Sequence, residues 1–322
     1  MSPTHFGFST TAEEVATLLS NDIQGKNVIV TGTSLNSLGF ETARVIAKYA
    51  NLVVIAGHNS ERLALSEAAL KREVPSATIR CLNLDLSSLV AVRKAAAEIN
   101  AYPEPIHVLI NNAAATIGPF VLTVDGLESQ MATDHIGPFF FTKLIAPKLI
   151  AAKSTTYTPR VVALTSFFHE YAAGIDLVDM TKPDEAKYEP FTAYNAAKSA
   201  NLLFAAELSR RAGGVINGYS ASPGVALTNI QLKPESYDIF VAREIITPDR
   251  KPHPNFKWKT IPQAAATTIV AAFDRKLDAR PGAYLDDCHE AAIAGPNFSD
   301  PMLSSQLWSA TENIIGESFN FL

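Results

Sequence analysis

Asn27-Val-Ile-Val-Thr-Gly-Thr-Ser-Leu-Asn-Ser-Leu-Gly-Phe-Glu-Thr-Ala43 decides the fold. Its first residues are β-branched and read as a strand. A turn of small residues follows, and then an apolar-periodic helix that opens at Leu38. A strand running into a helix N-terminus leaves backbone N–H groups free beside the positive end of the helix dipole. That combination is an anion site, and a pyrophosphate suits it. Gly32 permits the tight turn and Gly39 lets the helix pack closely on the strand. Gly32, Ser34, Ser37, Leu38 and Gly39 are therefore the predicted nucleotide contacts of this turn. The spacing departs from the common GxGxxG, so a plain strand-to-helix turn stands as the other reading.

Outward from this turn the chain alternates short β-branched runs with helical stretches. The predicted strands are Asn27–Thr31, Leu52–Ala56, Thr78–Asn83, Ile106–Asn111, Arg160–Thr165, Val215–Ala221 and Ala283–Leu285. The predicted helices are Leu38–Tyr49, Glu61–Glu73, Leu89–Ile99, Leu127–Ile150, Phe191–Arg211, Pro262–Phe273 and Pro301–Ile315. Right-handed crossovers applied to this order give an α/β fold, a doubly wound parallel sheet of Rossmann type. We expect a single domain over residues 25–322, after a lead of residues 1–24 holding a short helix, Thr11–Ser20, with Thr11 and Glu14 as a capping box. Two connections are long, Phe167–Pro190 and Thr228–Thr260. Both leave carboxyl ends of strands, where open α/β sheets bind ligands.

Composition narrows the partners. The chain has 322 residues and a formal charge of −5, with no basic tail, so nucleic acid is not an expected partner. No apolar run reaches the ~18 residues of a membrane span, and Met1–Gln24 lacks the pattern of a secretory signal. Cys81 and Cys288 are the only cysteines, which suits a reducing compartment; the expected location is cytoplasmic.

The end of the second strand, Ala56-Gly-His-Asn-Ser-Glu-Arg62, bears on the nucleotide. An acid there would accept hydrogen bonds from an adenosine ribose and repel a 2′-phosphate. None stands at Gly57 or His58. His58, Ser60 and Arg62 can instead meet a phosphate, which favours NADP(H) over NAD, and Asn59 between them is a further expected cofactor contact. A solvated strand-to-helix turn is the bland alternative.

Phe191-Thr-Ala-Tyr-Asn-Ala-Ala-Lys-Ser-Ala200 carries the chemistry. Tyr194 and Lys198 lie four apart on a predicted helix, so they share a face. Tyrosine alone titrates near pH ~10. A cation about 4 Å away at an effective dielectric of ~20 contributes about 4 kcal/mol in Coulomb terms before desolvation is subtracted, enough in principle to pull the phenol down. Chance can supply such a spacing, so the pair needs support from elsewhere.

With these motifs in hand, the chain resembles the short-chain dehydrogenase/reductase superfamily over roughly Gly25 to Gly316. It is similar to the retinol-dehydrogenase and WW-domain-oxidoreductase branch, particularly its fungal members. The cues are Leu38-Gly-Phe-Glu-Thr-Ala-Arg44, Asp125-Gly-Leu-Glu128, Tyr194 to Lys198 with Ser199-Ala-Asn-Leu-Leu-Phe-Ala205, and Gly282-Ala-Tyr-Leu-Asp-Asp-Cys288. The resemblance implies further roles. Asn111-Asn-Ala-Ala114 matches the family's NNAG, so Asn112 and Ala113 line the cofactor cleft. Asp85, followed by Leu86, meets the adenine ring. Ser166 takes a catalytic place, and Pro223, Gly224 and Thr228 lie near the nicotinamide carboxamide. The family's fourth catalytic residue, an asparagine that helps organise a water, corresponds to Asp134 in Asp134-His-Ile-Gly137. An acid in that catalytic place can hold the water as an acceptor but competes for the charge of Lys198.

The implied reaction is hydride transfer between NADP(H) and a carbonyl or alcohol carbon. Ser166 orients the oxygen, Tyr194 moves the proton, and Lys198 lowers the tyrosine pKa and holds the nicotinamide ribose. The substrate loop, residues 229–260, carries Tyr237, Phe240, Val241, Ile245, Ile246, Phe256 and Trp258, pointing to a bulky apolar or aromatic small molecule. Packing of that loop onto the body explains the same residues. Four of its cations, Arg250, Lys251, Lys257 and Lys259, read as a solvated face, with attraction of an acidic group as the other reading. Asp286-Asp-Cys-His-Glu290 matches no compact zinc spacing, so no metal is expected. Pairing through the two long helices makes a homo-oligomer the expectation by analogy. Two rivals stay open: a non-enzymatic NADP-binding interaction module, and C=N or C=C reduction or cyclisation on the same fold.

Overall fold

The alternating pattern closes into one eight-stranded sheet in a computed structural model, which describes residues 6–172, 174–294 and 298–321. In chain order the strands are β1 (Asn27–Thr31), β2 (Leu52–Gly57), β3 (Ile79–Asn83), β4 (Val108–Asn111), β5 (Arg160–Leu164), β6 (Asn217–Ala221), β7 (Val225–Ala226), β8 (Trp258–Lys259), β9 (Tyr284–Asp286) and β10 (His289–Glu290). Across the sheet they run β10-β9-β6-β5-β4-β1-β2-β3. Every pairing is parallel except β9 with β10. β7 and β8 form a separate two-stranded ribbon. The order reverses between β1 and β4, and the crevice at their carboxyl ends is the expected ligand site.

Helices cover both faces: α1 (Ala12–Leu18), α2 (Ser20–Ile23), α3 (Leu38–Ala47), α4 (Ser60–Glu73), α5 (Leu89–Asn100), α6 (Ser129–Met131), α7 (Gly137–Ile150), α8 (Pro190–Ala212), α9 (Pro234–Ala242), α10 (Ile261–Phe273) and α11 (Pro301–Ile315). Strands buried on both sides read as continuous apolar runs, as β1, β2 and β5 do. One core lies under α5, α7, α8 and α11, and the other under α1, α3 and α10. The lead is thus part of the body; its residues 1–5 lie outside the described residues. Thr11 and Glu14 form the expected capping box, and Glu13 pairs with Lys48 at 2.7 Å.

Two expectations change. The predicted helix Leu127–Ile150 is α6, a π-helical turn at Ala132–Ile136, and α7. Pro138 lacks the N–H that would close an α-helical bond to Asp134, and the wider turn accommodates it. Gly137 follows that turn at close quarters: a Cβ there would lie 2.2 Å from the Leu86 carbonyl oxygen. The second concerns the segment 229–260, where the long connection carries two elements not placed from the sequence, α9 and β8. Other element ends move by a residue or two.

α7 is apolar around its whole circumference, so both of its faces need cover. α5 packs beside it, and α11 with the residues after it supplies the outer cover. Trp308 meets Phe139 edge-on at 4.7 Å and stacks on Phe319 at 5.1 Å. Glu207, buried on α8, accepts from Arg210 and Arg211 at 2.6 Å each and from Ser304 of α11 at 3.4 Å. His135 of the π turn meets Thr311 of α11 at 3.1 Å. The surface expected by analogy to pair two copies is therefore packed by the chain's own C-terminal helix. Trp308 is 2% exposed. Trp308→Ala is expected to lower stability by about 3–5 kcal/mol in urea melts. A loss below about 1 kcal/mol would show that α11 contributes little to the core.

Candidate active site

The nucleotide end is built from the ends of β1 and β4. The Thr31 hydroxyl accepts from Asn112 N at 3.0 Å and Ala113 N at 2.9 Å. The Asn112 amide donates back to the carbonyls of Thr31 at 2.7 Å and Gly32 at 3.2 Å. Gly32 has φ +73°, and a Cβ there would lie 2.7 Å from Ala113 Cα. A Cβ at Gly39 would lie 2.4 Å from both Asn112 Nδ2 and the Gly32 oxygen. Ser37 caps α3, accepting from Phe40 N and donating to the Gly32 carbonyl, each at 3.1 Å. The result is a cradle of bare backbone that side chains would fill. It fits a pyrophosphate.

A cleft of about 800 Å³ extends from this cradle. Its walls include Gly32, Ser34, Ser37, Leu38, His58, Asn59, Arg62, Asp85, Leu86, Asn112, Ala113, Ser166, Tyr194, Lys198, Pro223, Gly224 and Thr228. Two predicted site residues are not in its lining. Gly39 sits behind the cradle, and Asp134 sits behind Lys198. Others line the cleft with their side chains already engaged. Asn112 and Ser37 shape the cradle, and Asn59 caps α4 by accepting from Arg62 N at 2.9 Å. One oxygen of Asp85 accepts from Ser87 N at 2.9 Å. His58 and Arg62 are exposed and form no ion pair among the described residues.

The other end is set by α8. Glu189 caps its start, accepting from Thr192 N at 2.7 Å, with Pro190 at the first helical position. Asn201 donates to the Leu164 carbonyl at 2.9 Å, and Thr165 donates to the Lys198 carbonyl at 2.8 Å. These bonds fix α8 against β5 so that Tyr194 faces Ser166. Ser166 caps a 3₁₀ turn, Phe167–Tyr171, by accepting from Phe168 N at 3.2 Å. The Lys198 ammonium lies 5.5 Å from the Tyr194 ring centre.

Asp134 faces this pair from the π turn. One oxygen accepts from Ala115 N at 2.6 Å, and the other is 2.8 Å from Lys198 Nζ. The two residues are 2% and 4% exposed, so this is a buried ion pair. Desolvation works against the Lys198 ammonium, but Asp134 and Tyr194 outweigh it and hold its pKa above the usual value. Tyr194 also moves up. Burial raises it, Lys198 and a hydrogen bond with Ser166 pull it down, and Asp134 pushes it up again. The expectation of a lowered phenol is thereby corrected: the lysine acts in the expected direction, but burial is larger, and Asp134 adds a smaller push upward.

Apolar side chains form the far wall. Ile117, Phe168, Phe191, Phe240 and Ile245 line the cleft beside Tyr194. The other loop residues expected here, Tyr237, Val241, Ile246, Phe256 and Trp258, belong to the same cluster but not to the cleft lining, so they pack the loop onto itself. Loop cations are occupied: Lys251 pairs with Asp249 at 2.6 Å, Lys259 with Asp287 at 2.5 Å, and Lys257 and Arg250 lie over the rings of Phe8 and Tyr237. Lys259 is buried rather than solvated. Among the described residues no group of three or more His, Cys, Asp or Glu side chains is placed to hold a metal ion. Sequence reasoning passed over Thr116, Phe168 and Lys233 in the lining. The one available signal was Lys233-Pro234, a helix-opening proline inside a segment read as loop.

Comparison with known proteins agrees with this geometry. The profile of the short chain dehydrogenase family matches residues 26–169. The chain is 34% identical over 317 residues to the short-chain dehydrogenase TIC 32 B, chloroplastic, of Brassica napus, covering 96% of this chain and 94% of that one. It is 30% identical over 322 residues to the WW domain-containing oxidoreductase of Danio rerio, covering 98% and 74%. A solved structure from Mycobacterium paratuberculosis shares 28% identity with a TM-score of 0.68, covering 93% of this chain and 98% of that chain.

The buried pair yields a test that needs no substrate. Asp134→Asn keeps the shape but leaves Lys198 buried without a counter-charge, which is expected to cost about 3–5 kcal/mol at pH 7. In the parent, the raised lysine pKa gives stability that is lost as pH climbs above the unfolded value near ~10.4. In the variant, desolvation depresses the lysine, the unfolded chain binds more protons, and stability rises with pH. Urea melts should therefore show the gap shrinking from pH 7 to pH 10; a constant gap would sink the ion-pair account.

Proposed function

The chain belongs to the short-chain dehydrogenase family, and from that premise we propose that it is an NADP-dependent oxidoreductase reducing a ketone or aldehyde of a bulky apolar or aromatic small molecule. The same groups serve the reverse alcohol oxidation. The observation that carries the reading is the convergence of Ser166, Tyr194 and Lys198 in a cleft whose other end is a backbone anion cradle. His58 and Arg62 are exposed where β2 turns into α4, and no acid stands at Gly57 or His58, which supports NADP over NAD.

A bound nicotinamide supplies the hydride. The chain's own residues do the rest. Ser166 Oγ donates to the carbonyl oxygen and holds it toward Tyr194. The Tyr194 phenol, kept protonated at neutral pH by burial, gives its proton to that oxygen as negative charge develops there. The Lys198 ammonium stabilises the phenolate left behind, and Asp134 holds the ammonium in place. Phe168, Phe191 and Phe240 exclude water and favour an apolar substrate.

The Asp134–Lys198 pair also favours a second reading, a nucleotide-binding interaction module without turnover, because the carboxylate offsets the charge that would assist Tyr194. No helix among the described residues is long and apolar enough to cross a membrane, and both cysteines are free. A reducing compartment suits this chain, and the cytoplasm is its proposed location.

A screen of NADPH oxidation against varied carbonyl compounds separates the two readings; NADPH binding without turnover on any of them would leave the module. Tyr194→Phe is expected to cut kcat by about 10²- to 10⁴-fold while leaving NADPH affinity nearly unchanged. Arg62→Ala should weaken NADPH binding by about tenfold and leave NADH binding as it was. Equal losses for both dinucleotides would remove Arg62 from the 2′-phosphate.

A further inference from the structure

The segment after β7 roofs the cleft and is tied to both of its sides. Asn229 donates to the Leu35 carbonyl of the phosphate cradle at 2.9 Å. Across the cleft, Lys233 donates to the Thr116 hydroxyl and Ser236 to the Ile117 carbonyl at 2.7 Å. Gly118 lies beneath, where a Cβ would sit 3.5 Å from the Glu235 carbonyl oxygen. The start of α9 is thereby held over the nucleotide end, and Lys233 is part of the cleft lining.

Of its segment's cations, Lys233, Arg250 and Lys257 form no ion pair among the described residues, and of these three only Lys233 lines the cleft, Arg250 and Lys257 lying over aromatic rings. Arg243 pairs with Glu189 at 2.8 Å, Lys251 with Asp249 and Lys259 with Asp287. Lys233 forms no ion pair among the described residues; its recorded hydrogen-bond partner is the neutral Thr116 hydroxyl. It is half-buried, and the nearest charges oppose one another: Glu235 favours the ammonium and Arg62 disfavours it. Desolvation, the largest influence, pushes its pKa down. A half-buried ammonium facing a cleft with a hydroxyl as partner lacks a counter-charge. The cradle opposite is built for an anion but brings no positive side chain of its own, since Gly32 to Leu38 contains no cation.

The geometry points to Lys233 as the counter-ion of the dinucleotide pyrophosphate, reaching it from the roof while the cradle N–H groups meet it from the floor. This rests on the nicotinamide reading above and adds a consequence. Part of the affinity for the cofactor is carried by the substrate loop, so binding the nucleotide also fixes the roof over the apolar wall. Arg62 serves the 2′-phosphate and Lys233 the phosphates common to both dinucleotides.

The test is titration of the whole protein with NADPH and, separately, with NADH, followed by fluorescence. Lys233→Met is expected to raise Kd for both by a similar factor of about ten, and Lys233→Arg to restore most of the loss. Lys233→Gln repeats the measurement if the methionine variant melts early. Unchanged affinity for both dinucleotides overturns the assignment. A loss confined to NADPH also overturns it, by moving Lys233 to the 2′-phosphate. If the unaltered protein binds neither dinucleotide, the nicotinamide reading falls together with this one; if it binds both and Lys233→Met binds them equally well, only the Lys233 assignment falls.

Discussion

The clasp between the ends of β1 and β4 is the constraint on which the rest depends. Asn112 and Ala113 donate four hydrogen bonds to Thr31 and Gly32 across the point where the sheet reverses its order. These bonds hold Gly32 in a left-handed conformation and press it against Ala113. Gly39 then brings α3 down onto the same knot. Without it the cradle N–H groups would have no common direction, and the cleft no floor. A polar clasp is well suited to this place, because a buried strand end must satisfy its backbone groups once the ladder stops.

The second constraint is electrostatic. Asp134 and Lys198 are both buried, and the ammonium keeps its charge there because the carboxylate faces it. The π turn aims the carboxylate, and Gly137 makes room for that turn against Leu86. The raised phenol of Tyr194 suits a proton donor better than a proton acceptor near neutral pH.

Much of this was legible in the residues. β-branched runs gave the strands, and the small-residue turn from Gly32 to Gly39 located the nucleotide end. Tyr194, Lys198 and Ser166 lay together as their spacing and strand positions implied. What stayed hidden were directions. An asparagine in a cleft motif can face a ligand or its own backbone, and Asn112 does the latter. The apolar run after Leu127 reads as helix with or without a π turn, since Pro138 is compatible with both. Lys233 sits in a segment whose charges look solvated, and only the fold shows which of them lost their water. Lys259, which looked like surface, is buried against Asp287 for the same reason.

Trp308 and Phe319 carry a meaning for how the molecule is made. They cover Phe139, a residue synthesised long before them. During translation the sheet and its first helices can assemble while one flank of α7 stays bare until α11 emerges. An apolar helix waiting for its cover invites association with other chains. The flank of α7 is thus sealed by residues made about 170 positions after it, and the core beneath it closes only when α11 docks.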